Sequence, residues 1–253
     1  MKISAYTALH YGAEWLEWAM RSVEWMVDEH YVFYTPHPSH GTTTKMALPV
    51  GEDENTLHSI VAQFPNAKWL KTDKFWQEGK QRDYCVQTVF QGGADLIIWV
   101  DADEIWDEDV LSEAIDHVLS GDAAEWRVRA MHFWRSVNYV CMDEAMPIRF
   151  IKRDGHGIGY VPGMGFYHMG YAQSEMLILY KQSIHGHRAE WRRNWYGDIY
   201  KRWHSPEDTP PCGVHPTCSC DDDGKPFWVP RQFDKYDIEH LIGDHPYWDA
   251  GII

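Results

Sequence analysis

The fold of this chain is decided by the stretch Leu96-Ile97-Ile98-Trp99-Val100-Asp101-Ala102-Asp103-Glu104-Ile105-Trp106. Its first half is short, apolar and β-rich, and helix-forming sequence follows it. This pattern predicts a buried strand of a parallel α/β sheet. In such sheets, ligands lie at the carboxyl ends of the strands. The carboxylates that follow the strand therefore predict a binding site there.

The two aspartates of this stretch predict a site for a metal ion and a diphosphate. Asp101 and Asp103 alternate with Ala102, so an extended backbone would point both carboxylates the same way. Carboxylates held that close repel each other unless a cation lies between them. Ions such as Mg²⁺ bind one or two carboxylates together with substrate phosphates. Helix capping is the alternative, and it explains Asp107 or Asp109 but not the aspartates at the strand end.

Composition bounds the class of protein. The 253 residues fit one α/β domain with elaborations, or a domain with a small C-terminal appendage. The aromatic load of 14 Trp, 14 Tyr and 9 Phe exceeds what a core needs and suggests stacking surfaces, as in sugar and base sites. The net charge of −15 excludes a general electrostatic attraction for nucleic acid or an anionic membrane.

The sequence also carries expectations about location and partners. No apolar run approaches the length of a membrane span, and the N-terminus enters a strand pattern without a signal peptide, so we expect a cytoplasmic protein. The five cysteines do not resemble a secreted disulfide framework. No obligate protein partner is evident.

Hydrophobic periodicity predicts alternating strands and helices in the first half. The expected strands are 2–9, 30–35, 68–71 and 95–101, and the expected helices are 13–28, 54–64, 78–91 and 108–119. This β-α-β-α-β-α-β order favours parallel crossover units.

The second half follows a different pattern. It predicts strands at 124–134, 148–152 and 160–168, and helices at 174–184 and 189–203. From residue 205 onward Pro, Cys, Asp and Gly dominate, so regular structure is expected to thin out. We therefore assign a main domain to residues 1–204 and an irregular C-terminal extension to residues 205–253.

Four features in order resemble nucleotide-sugar glycosyltransferases of the GT-A fold, family-two type. They are the strand–helix start at 3–27, the Val27-Asp28-Glu29-His30 and Ser39-His40-Gly41-Thr42 stretches, Gly79-Lys80-Gln81-Arg82-Asp83, and the Asp-x-Asp motif of Val100-Asp101-Ala102-Asp103-Glu104. The resemblance covers residues 1–185. Ile148-Arg149-Phe150-Ile151-Lys152-Arg153 and Phe166-Tyr167-His168-Met169-Gly170-Tyr171 resemble later elements of that family.

The resemblance implies a fold, a donor and a set of site residues. The fold would be a mostly parallel, Rossmann-like GT-A sheet flanked by helices, and the donor a nucleotide sugar, with a UDP-sugar expected first. The implied donor site comprises Tyr6, Thr35, Asp73, Lys80, Arg82 and Asp101. Mn²⁺ or Mg²⁺ would bind Asp101, Asp103 and His168, with His185 and His187 as rivals of the last.

Departures from the family pattern leave the nucleotide and the base open. Tyr34 and Thr35 stand where a carboxylate usually contacts the nucleoside, and Asp83 replaces the usual Asn. By resemblance to inverting members, Glu144 is nominated as the general base, with Asp143 as its rival. Inversion at the sugar is likewise implied by the resemblance.

Two acceptors are compatible with the sequence, and a base in DNA is the one that we expect first. Tyr34-Thr35-Pro36 and Pro38-Ser39-His40-Gly41 resemble a phage-associated group thought to glycosylate hydroxymethylated pyrimidines in DNA, which would place the protein in the host cytoplasm. A basic, aromatic stretch would serve such an acceptor, with phosphates on the arginines and bases stacked on the indoles. Its residues are Arg188, Trp191, Arg192 and Trp195. A saccharide or lipopolysaccharide acceptor suits the aromatic content equally.

A Cys/His cluster near the C-terminus has the composition of a zinc site. Four ligands of the right type would come from Cys212, His215, Cys218 and Cys220. A bound zinc ion would stabilise a segment that has little hydrophobic core. The spacing is tighter than in common zinc knuckles, so free thiols on a loop are the alternative.

Two further functional classes are compatible with a fold of this kind. A silent nucleotide-sugar-binding module would keep the fold and lose the base. A nucleotidyltransferase would also use carboxylates and a metal ion, but it normally carries a Gly-rich phosphate loop, and Tyr11-Gly12-Ala13 is a poor match.

Overall fold

A computed structural model describes residues 1–38, 44–73, 77–142, 146–185, 188–217 and 228–253, without the side chains of Glu78 and Arg188. The first half alternates strands and helices as predicted. Its elements are β1 (Ile3–Leu9), α1 (Ala13–Glu24), β2 (Glu29–Tyr34), α2 (Glu54–Val61), β3 (Ala67–Lys71), α3 (Glu78–Gln91) and β4 (Leu96–Trp99).

These four strands run parallel in the spatial order β3-β2-β1-β4. The chain builds outward from β1 to β3 and then returns through α3 to place β4 on the other side of β1. The strand order therefore reverses between β1 and β4. In open α/β sheets a ligand crevice lies at such a switch point, outside the carboxyl ends of the strands.

The remaining elements extend this sheet and build a second one. They are β5 (Glu104–Trp106), α4 (Glu108–Ser120), β6 (Glu125–Arg127), β7 (Ala130–Trp134), β8 (Tyr139–Met142), β9 (Ile148–Lys152), β10 (Ile158–Tyr160), β11 (Phe166–Tyr171), α5 (Glu175–Ile184), β12 (Arg231–Gln232) and α6 (Glu239–Ile242). In the described residues the first sheet has the order β10-β6-β9-β4-β1-β2-β3, with β9 antiparallel to β4. The second has the order β12-β8-β7-β11-β5. The fold is thus α/β, with a largely parallel central sheet flanked by helices.

Three predicted elements of the second half were wrong in their extent. The strand expected over 124–134 is divided into β6 and β7, which belong to different sheets, because the chain crosses between them at Val128 and Arg129. The strand expected over 160–168 is likewise divided, with Gly163 at a φ of +80° between β10 and β11.

The helix expected over 189–203 is also interrupted. It consists of a 3₁₀ turn at Arg188–Glu190 and a short π-helix at Tyr196–Tyr200. Asn194 lies between them with a φ of +54°, a left-handed conformation that a continuous right-handed helix excludes.

The C-terminal residues pack into the same cores as the rest of the chain. Ile238, Ile242 and Trp248 share a buried cluster with Trp15 of α1. Val214 and Trp228 share another with strand residues of the second sheet. Regular structure is sparse after residue 204, as expected, but these residues do not form a core of their own in the described chain. No described helix is both long enough and apolar enough to cross a bilayer.

Candidate active site

A cleft of about 220 Å³ opens at the switch point between β1 and β4. Each wall comes from a different element. The lining residues come from four places: the end of β1 and the loop after it (Ala8, His10, Tyr11, Gly12), the end of β4 and the turn after it (Trp99, Asp101, Ala102, Asp103), α3 (Gln81, Arg82), and β11 and α5 with their connection (His168, Gln173, Lys181). The cleft thus lies where the strand order predicts it.

Gly12 allows the two loops that form the cleft to approach closely. Its φ is +130°, and a Cβ at this position would lie 2.7 Å from the Cβ of Ala102. The backbone N–H groups of Gly12 and Ala13 both donate to the buried carboxylate of Glu52, at 2.5 and 2.9 Å. The start of α1 is therefore satisfied by a carboxylate from the protein itself.

Asp101 and Asp103 lie in a tight turn, so the extended backbone that we expected there is wrong. The strand ends at Trp99, and the Glu104 N–H donates to the carbonyl of Asp101 at 3.1 Å. Both aspartates still line the same cleft. A turn, and not an extended strand, therefore brings the two carboxylates to one cleft. The predicted cap is confirmed, since the Asp107 carboxylate accepts from the N–H groups of Asp109 and Val110.

Both oxygens of Asp101 are held by neighbouring side chains. Trp99 Nε1 donates to Oδ1 at 2.8 Å, and Arg149 Nη2 donates to Oδ2 at 3.0 Å. These hydrogen bonds fix the Asp101 carboxylate beyond the carboxyl end of β4. They also mean that a bound ion would have to compete with Arg149 for one of its oxygens.

Arg149 is anchored by Glu104, which is fully buried. The guanidinium donates a hydrogen bond to this carboxylate. Burial raises the pKa of Glu104, and the Arg149 cation beside it opposes that rise. Burial also disfavours the charge on Arg149, but Glu104 and Asp101 beside it hold its pKa above the usual value. The two side chains thus form a buried ion pair beneath the cleft.

Aromatic rings support the cations of this wall. The ring of Tyr6 stacks on Trp99, with centroids 5.5 Å apart. The guanidinium of Arg82 lies 4.1 Å from the centre of the Trp99 ring, and that of Arg149 lies 5.0 Å from it. Attraction of a cation to the indole face favours these positions. Burial raises the pKa of the Tyr6 hydroxyl, which has no hydrogen-bond partner within the described residues.

Asp103 faces the opposite wall of the cleft. Gln173 Nε2 donates to its Oδ2 at 3.3 Å, and Lys181 Nζ lies 3.6 Å from the same oxygen. His168 Nε2 lies 3.6 Å from Oδ1. The carboxylate is therefore surrounded by one amide, one ammonium and one imidazole.

His168 is held by a second histidine from the neighbouring strand. Its Nδ1 lies 2.9 Å from Nδ1 of His132. Burial lowers the pKa of His168 well below its usual value, and the cations of Lys181 and Arg149 lower it further. The imidazole is therefore neutral at pH 7, which is the form that binds metal ions.

The structure brings some of the predicted donor-site residues together and leaves others apart. Arg82, Asp101, Asp103 and His168 line the cleft, and Tyr6 lies beside it under Trp99. Among the described lining residues, Thr35, Asp73 and Lys80 do not occur. Thr35 is buried and accepts a bond from His10 through its carbonyl, whereas Asp73 and Lys80 are exposed. The nominated bases Asp143 and Glu144, and the rival His187, lie outside the described residues.

Sequence reasoning missed Arg149, Gln173 and Lys181 as site residues. Arg149 belongs to the stretch 148–153, and a basic residue inside such an apolar strand is itself a signal of a buried ion pair. Gln173 and Lys181 carry no such signal, because only the packing of α5 against the second sheet brings them to the cleft.

The residues proposed for acceptor stacking lie in a core. Trp195 is fully buried, Trp191 is 9% exposed, and both pack in the cluster that also holds Trp134 and Trp203. Arg192 donates to the carbonyls of Cys212 and Gly213. These positions do not fit a surface on which bases stack, because the polypeptide already covers the rings. The side chain of Arg188 lies outside the described part.

Two of the four predicted zinc ligands, Cys212 and His215, lie in the described residues. Cys212 Sγ accepts from Arg192 Nη1 at 3.2 Å, and His215 Nδ1 accepts from the N–H of Thr217. Cys218 and Cys220 lie outside the described residues. Within those residues, no group of three or more His, Cys, Asp or Glu side chains is arranged to hold a metal ion.

Comparisons with known proteins found structures of low similarity and no related sequence. No family model matches the sequence, and no curated protein matches it. S. aureus TarS 1–349 is similar in structure at a TM-score of 0.44 and 10% identity, over 78% of this chain and 74% of that one. The same protein in complex with UDP-GlcNAc gives 0.41 and 11%, over 73% and 65%. A 4-diphosphocytidyl-2C-methyl-D-erythritol synthase gives 0.37 and 14%, over 70% and 82%.

The match to S. aureus TarS 1–349 with UDP is shorter. It covers 53% of this chain but only 36% of that one, at a TM-score of 0.36 and 13% identity. All of these TM-scores are below 0.5, so the likeness carries no argument about activity.

Proposed function

We propose that this protein is a metal-assisted glycosyltransferase of the GT-A type, which moves a sugar from a nucleotide-sugar donor to an acceptor hydroxyl. One observation carries the proposal. At the switch point of a parallel sheet, a single cleft brings together two carboxylates, Asp101 and Asp103, and the cations of Arg82 and Lys181. This is the charge pattern that a diphosphate and a divalent ion require.

The donor diphosphate would lie between the cationic walls. Arg82 is exposed at the end of α3 that faces the cleft, with its guanidinium on the Trp99 ring. A guanidinium matches phosphate oxygens in a bidentate way, and an ammonium binds them as a point charge. A UDP-sugar is the donor that we propose to test first.

The cleft would bind a divalent ion only together with the donor, since in the described residues its three candidate ligands are not arranged as a complete metal site. Asp103 offers carboxylate oxygens, His168 offers a neutral imidazole nitrogen, and Asp101 offers an oxygen in exchange for Arg149. Ions of the Mg²⁺ and Mn²⁺ type bind few protein ligands and complete their shell with substrate phosphates and water. When bound, the ion would act as a Lewis acid toward the leaving diphosphate.

The proposed transfer is a single displacement. The acceptor oxygen forms a bond to the anomeric carbon, the bond from that carbon to the diphosphate breaks, and its electron pair leaves with the nucleoside diphosphate. The proton of the acceptor hydroxyl passes to a general base, for which Glu144 or Asp143 is nominated. Attack opposite the leaving group inverts the anomeric centre.

Two acceptors remain candidates. A 5-hydroxymethylated pyrimidine in DNA is the first, and it is supported by the resemblance around Tyr34-Thr35-Pro36 alone. A saccharide is the second, and the charge of −15 favours it, since phosphate contacts by cations dominate DNA affinity. The burial of Trp191 and Trp195 points the same way.

The test is release of nucleoside diphosphate and gain of mass by the acceptor. The protein is incubated with Mn²⁺, a panel of nucleotide sugars, and either hydroxymethylcytosine DNA or an oligosaccharide panel. We expect one donor to be consumed, and Asp103→Asn to lower the rate by at least about 100-fold, because it removes charge stabilisation of the leaving group. Asp116→Asn, an exposed position of α4, is the matched control and should leave the rate unchanged.

The outcomes separate the candidates. A sugar-sized mass gain on the modified nucleoside identifies DNA as the acceptor, and a gain on an oligosaccharide identifies the second candidate. Binding of a nucleotide sugar without turnover on any acceptor, and without hydrolysis, would replace the enzyme with a binding module. No binding of any donor would overturn the proposal.

A further inference from the structure

Lys181 brings a positive charge from α5 into the cleft. Its side chain is 16% exposed, and its ammonium donates to the carbonyl of Gly170 at 3.1 Å. The same nitrogen lies 3.6 Å from Asp103 Oδ2 and 5.0 Å from the centre of the Tyr171 ring. The ammonium of Lys181 is thus stabilised by a carbonyl, a carboxylate and an aromatic ring.

Gly170 makes the space that this ammonium occupies. A Cβ at that position would lie 2.7 Å from Lys181 Nζ and 2.4 Å from Cε1 of His168. Real Cβ atoms do not approach other atoms so closely, so any other residue would push the lysine or the histidine out of place. This arrangement of Lys181 and His168 therefore requires glycine at position 170.

The ammonium retains the capacity to bind a ligand. An ammonium has three donors, and among the described residues only the Gly170 carbonyl accepts from it within hydrogen-bond distance. Asp103 is beyond that distance, which makes the contact an ion pair and not a hydrogen bond. Lys181 and Asp103 both line the cleft, so the remaining donors have access to a ligand there.

We propose that Lys181 is a built-in cation of the donor site, which neutralises Asp103 in the empty cleft and donates to the diphosphate when a donor binds. The inference rests on the proposed function, because it assigns a role within the same site. It has two consequences. Diphosphate binding keeps a component that needs no metal ion, and Lys181 competes with a divalent ion for the Asp103 carboxylate.

The experiment is calorimetric titration of inorganic pyrophosphate and of UDP, each in EDTA and in Mn²⁺. Wild type is compared with Lys181→Met, which keeps the length of the side chain, and with Lys181→Arg, which keeps its charge. Lys201→Met, at an exposed position, is the control for the loss of one positive charge. In EDTA we expect Lys181→Met to weaken both ligands by at least about tenfold, Lys181→Arg to retain part of the affinity, and the control to remain within about twofold.

A second readout separates this role from a merely structural one. Mn²⁺ binding without nucleotide, followed by electron paramagnetic resonance, should become tighter in Lys181→Met, because a competing cation has been removed from Asp103. A variant that had only lost its fold would bind Mn²⁺ more weakly. Equal pyrophosphate and Mn²⁺ affinities in Lys181→Met and wild type would overturn the inference.

The two proposals fail in different ways. If wild type binds UDP only with Mn²⁺ and Lys181→Met behaves identically, the donor site stands and the role of Lys181 falls. If wild type binds neither pyrophosphate nor UDP under any condition, the donor site itself falls, and the role of Lys181 with it.

Discussion

Arg149 is the residue on which the charge arrangement of the cleft depends. It contacts two carboxylates at once, the buried Glu104 and the cleft residue Asp101. Removing one partner of a buried ion pair is costly, because the other charge is left in a medium that solvates it poorly. Arg149 therefore couples the stability of the protein to the position of Asp101.

We expect Arg149→Met to lower the free energy of unfolding by about 3–5 kcal/mol, because Glu104 is left buried without a counter-charge. The loss should be larger at pH 8 than at pH 5. The Arg149 cation opposes the rise in the pKa of Glu104, so its removal raises this pKa further, and the folded variant holds a proton that the unfolded chain releases. The variant therefore loses more stability than the wild type as the pH rises. Urea denaturation at both pH values measures this effect.

Two controls make the Arg149 prediction specific. Adding Glu104→Gln to Arg149→Met should recover part of the loss and reduce the pH dependence, because the buried charge is gone. Lys71→Met, which breaks an exposed pair with Glu54, should leave the urea midpoint nearly unchanged. The same stability loss at pH 5 and pH 8 would show that removing Arg149 does not change the protonation of Glu104 in this range.

At the scale of elements, the cleft depends on how closely two connections approach each other. The loop from β1 to α1 and the turn from β4 to β5 meet at Gly12 and Ala102. Both connections lie at the carboxyl ends of adjacent parallel strands. The site therefore depends on the spacing of two loops as much as on the residues that line it.

Gly12→Ala should disturb this approach. The backbone there has a φ of +130°, which L-residues rarely adopt, and the new Cβ would lie 2.7 Å from that of Ala102. We expect a loss of about 1–3 kcal/mol in stability and weaker UDP binding, since the loops must separate. Thermal unfolding and calorimetry measure the two effects. Gly51→Ala, at a φ of +89° with open space around it, is the control for backbone strain alone and should leave UDP binding unchanged.

At the scale of the whole molecule, the C-terminal residues belong to the cores of the domain. Ile242 of α6 and Trp15 of α1 share one cluster, and the backbone N–H of Ile253 donates to the carbonyl of Arg135. The guanidinium of Arg135 donates in turn to the carbonyls of Tyr200, Trp203 and Ile253. These contacts tie the end of the chain to the second sheet.

Ile242→Ala should therefore destabilise the whole protein and not only its end. The side chain is fully buried, and removing it creates a cavity that costs about 2–5 kcal/mol. We expect one cooperative unfolding transition, with the same midpoint by tryptophan fluorescence and by circular dichroism. Two separate transitions, with only one of them moved by Ile242→Ala, would instead make the extension an independent unit.

Local patterns in the sequence were sufficient for the first half of the fold. Helix α3 has the predicted bounds, and the other three helices of this half and its four strands lie within a few residues of their predicted positions. Periodicity and capping are properties of neighbouring residues, so they can be read without knowledge of the fold. The divided strands at 124–134 and 160–168 were missed because the chain changes sheets there, which no local pattern encodes.

The sequence by itself determined that a parallel α/β sheet presents Asp101 and Asp103 at the end of a buried strand. It did so because an apolar run followed by carboxylates has one stable placement, with the run inside and the charges at the edge. Only the tertiary structure decided what surrounds those carboxylates. Arg149 comes from β9, which pairs with β4 inside the first sheet. His168 comes from β11 and Lys181 from α5, and packing of the second sheet and of this helix brings them to the cleft. The fold also placed Trp191 and Trp195 in a core, because burying an aromatic ring is favourable wherever the chain can cover it.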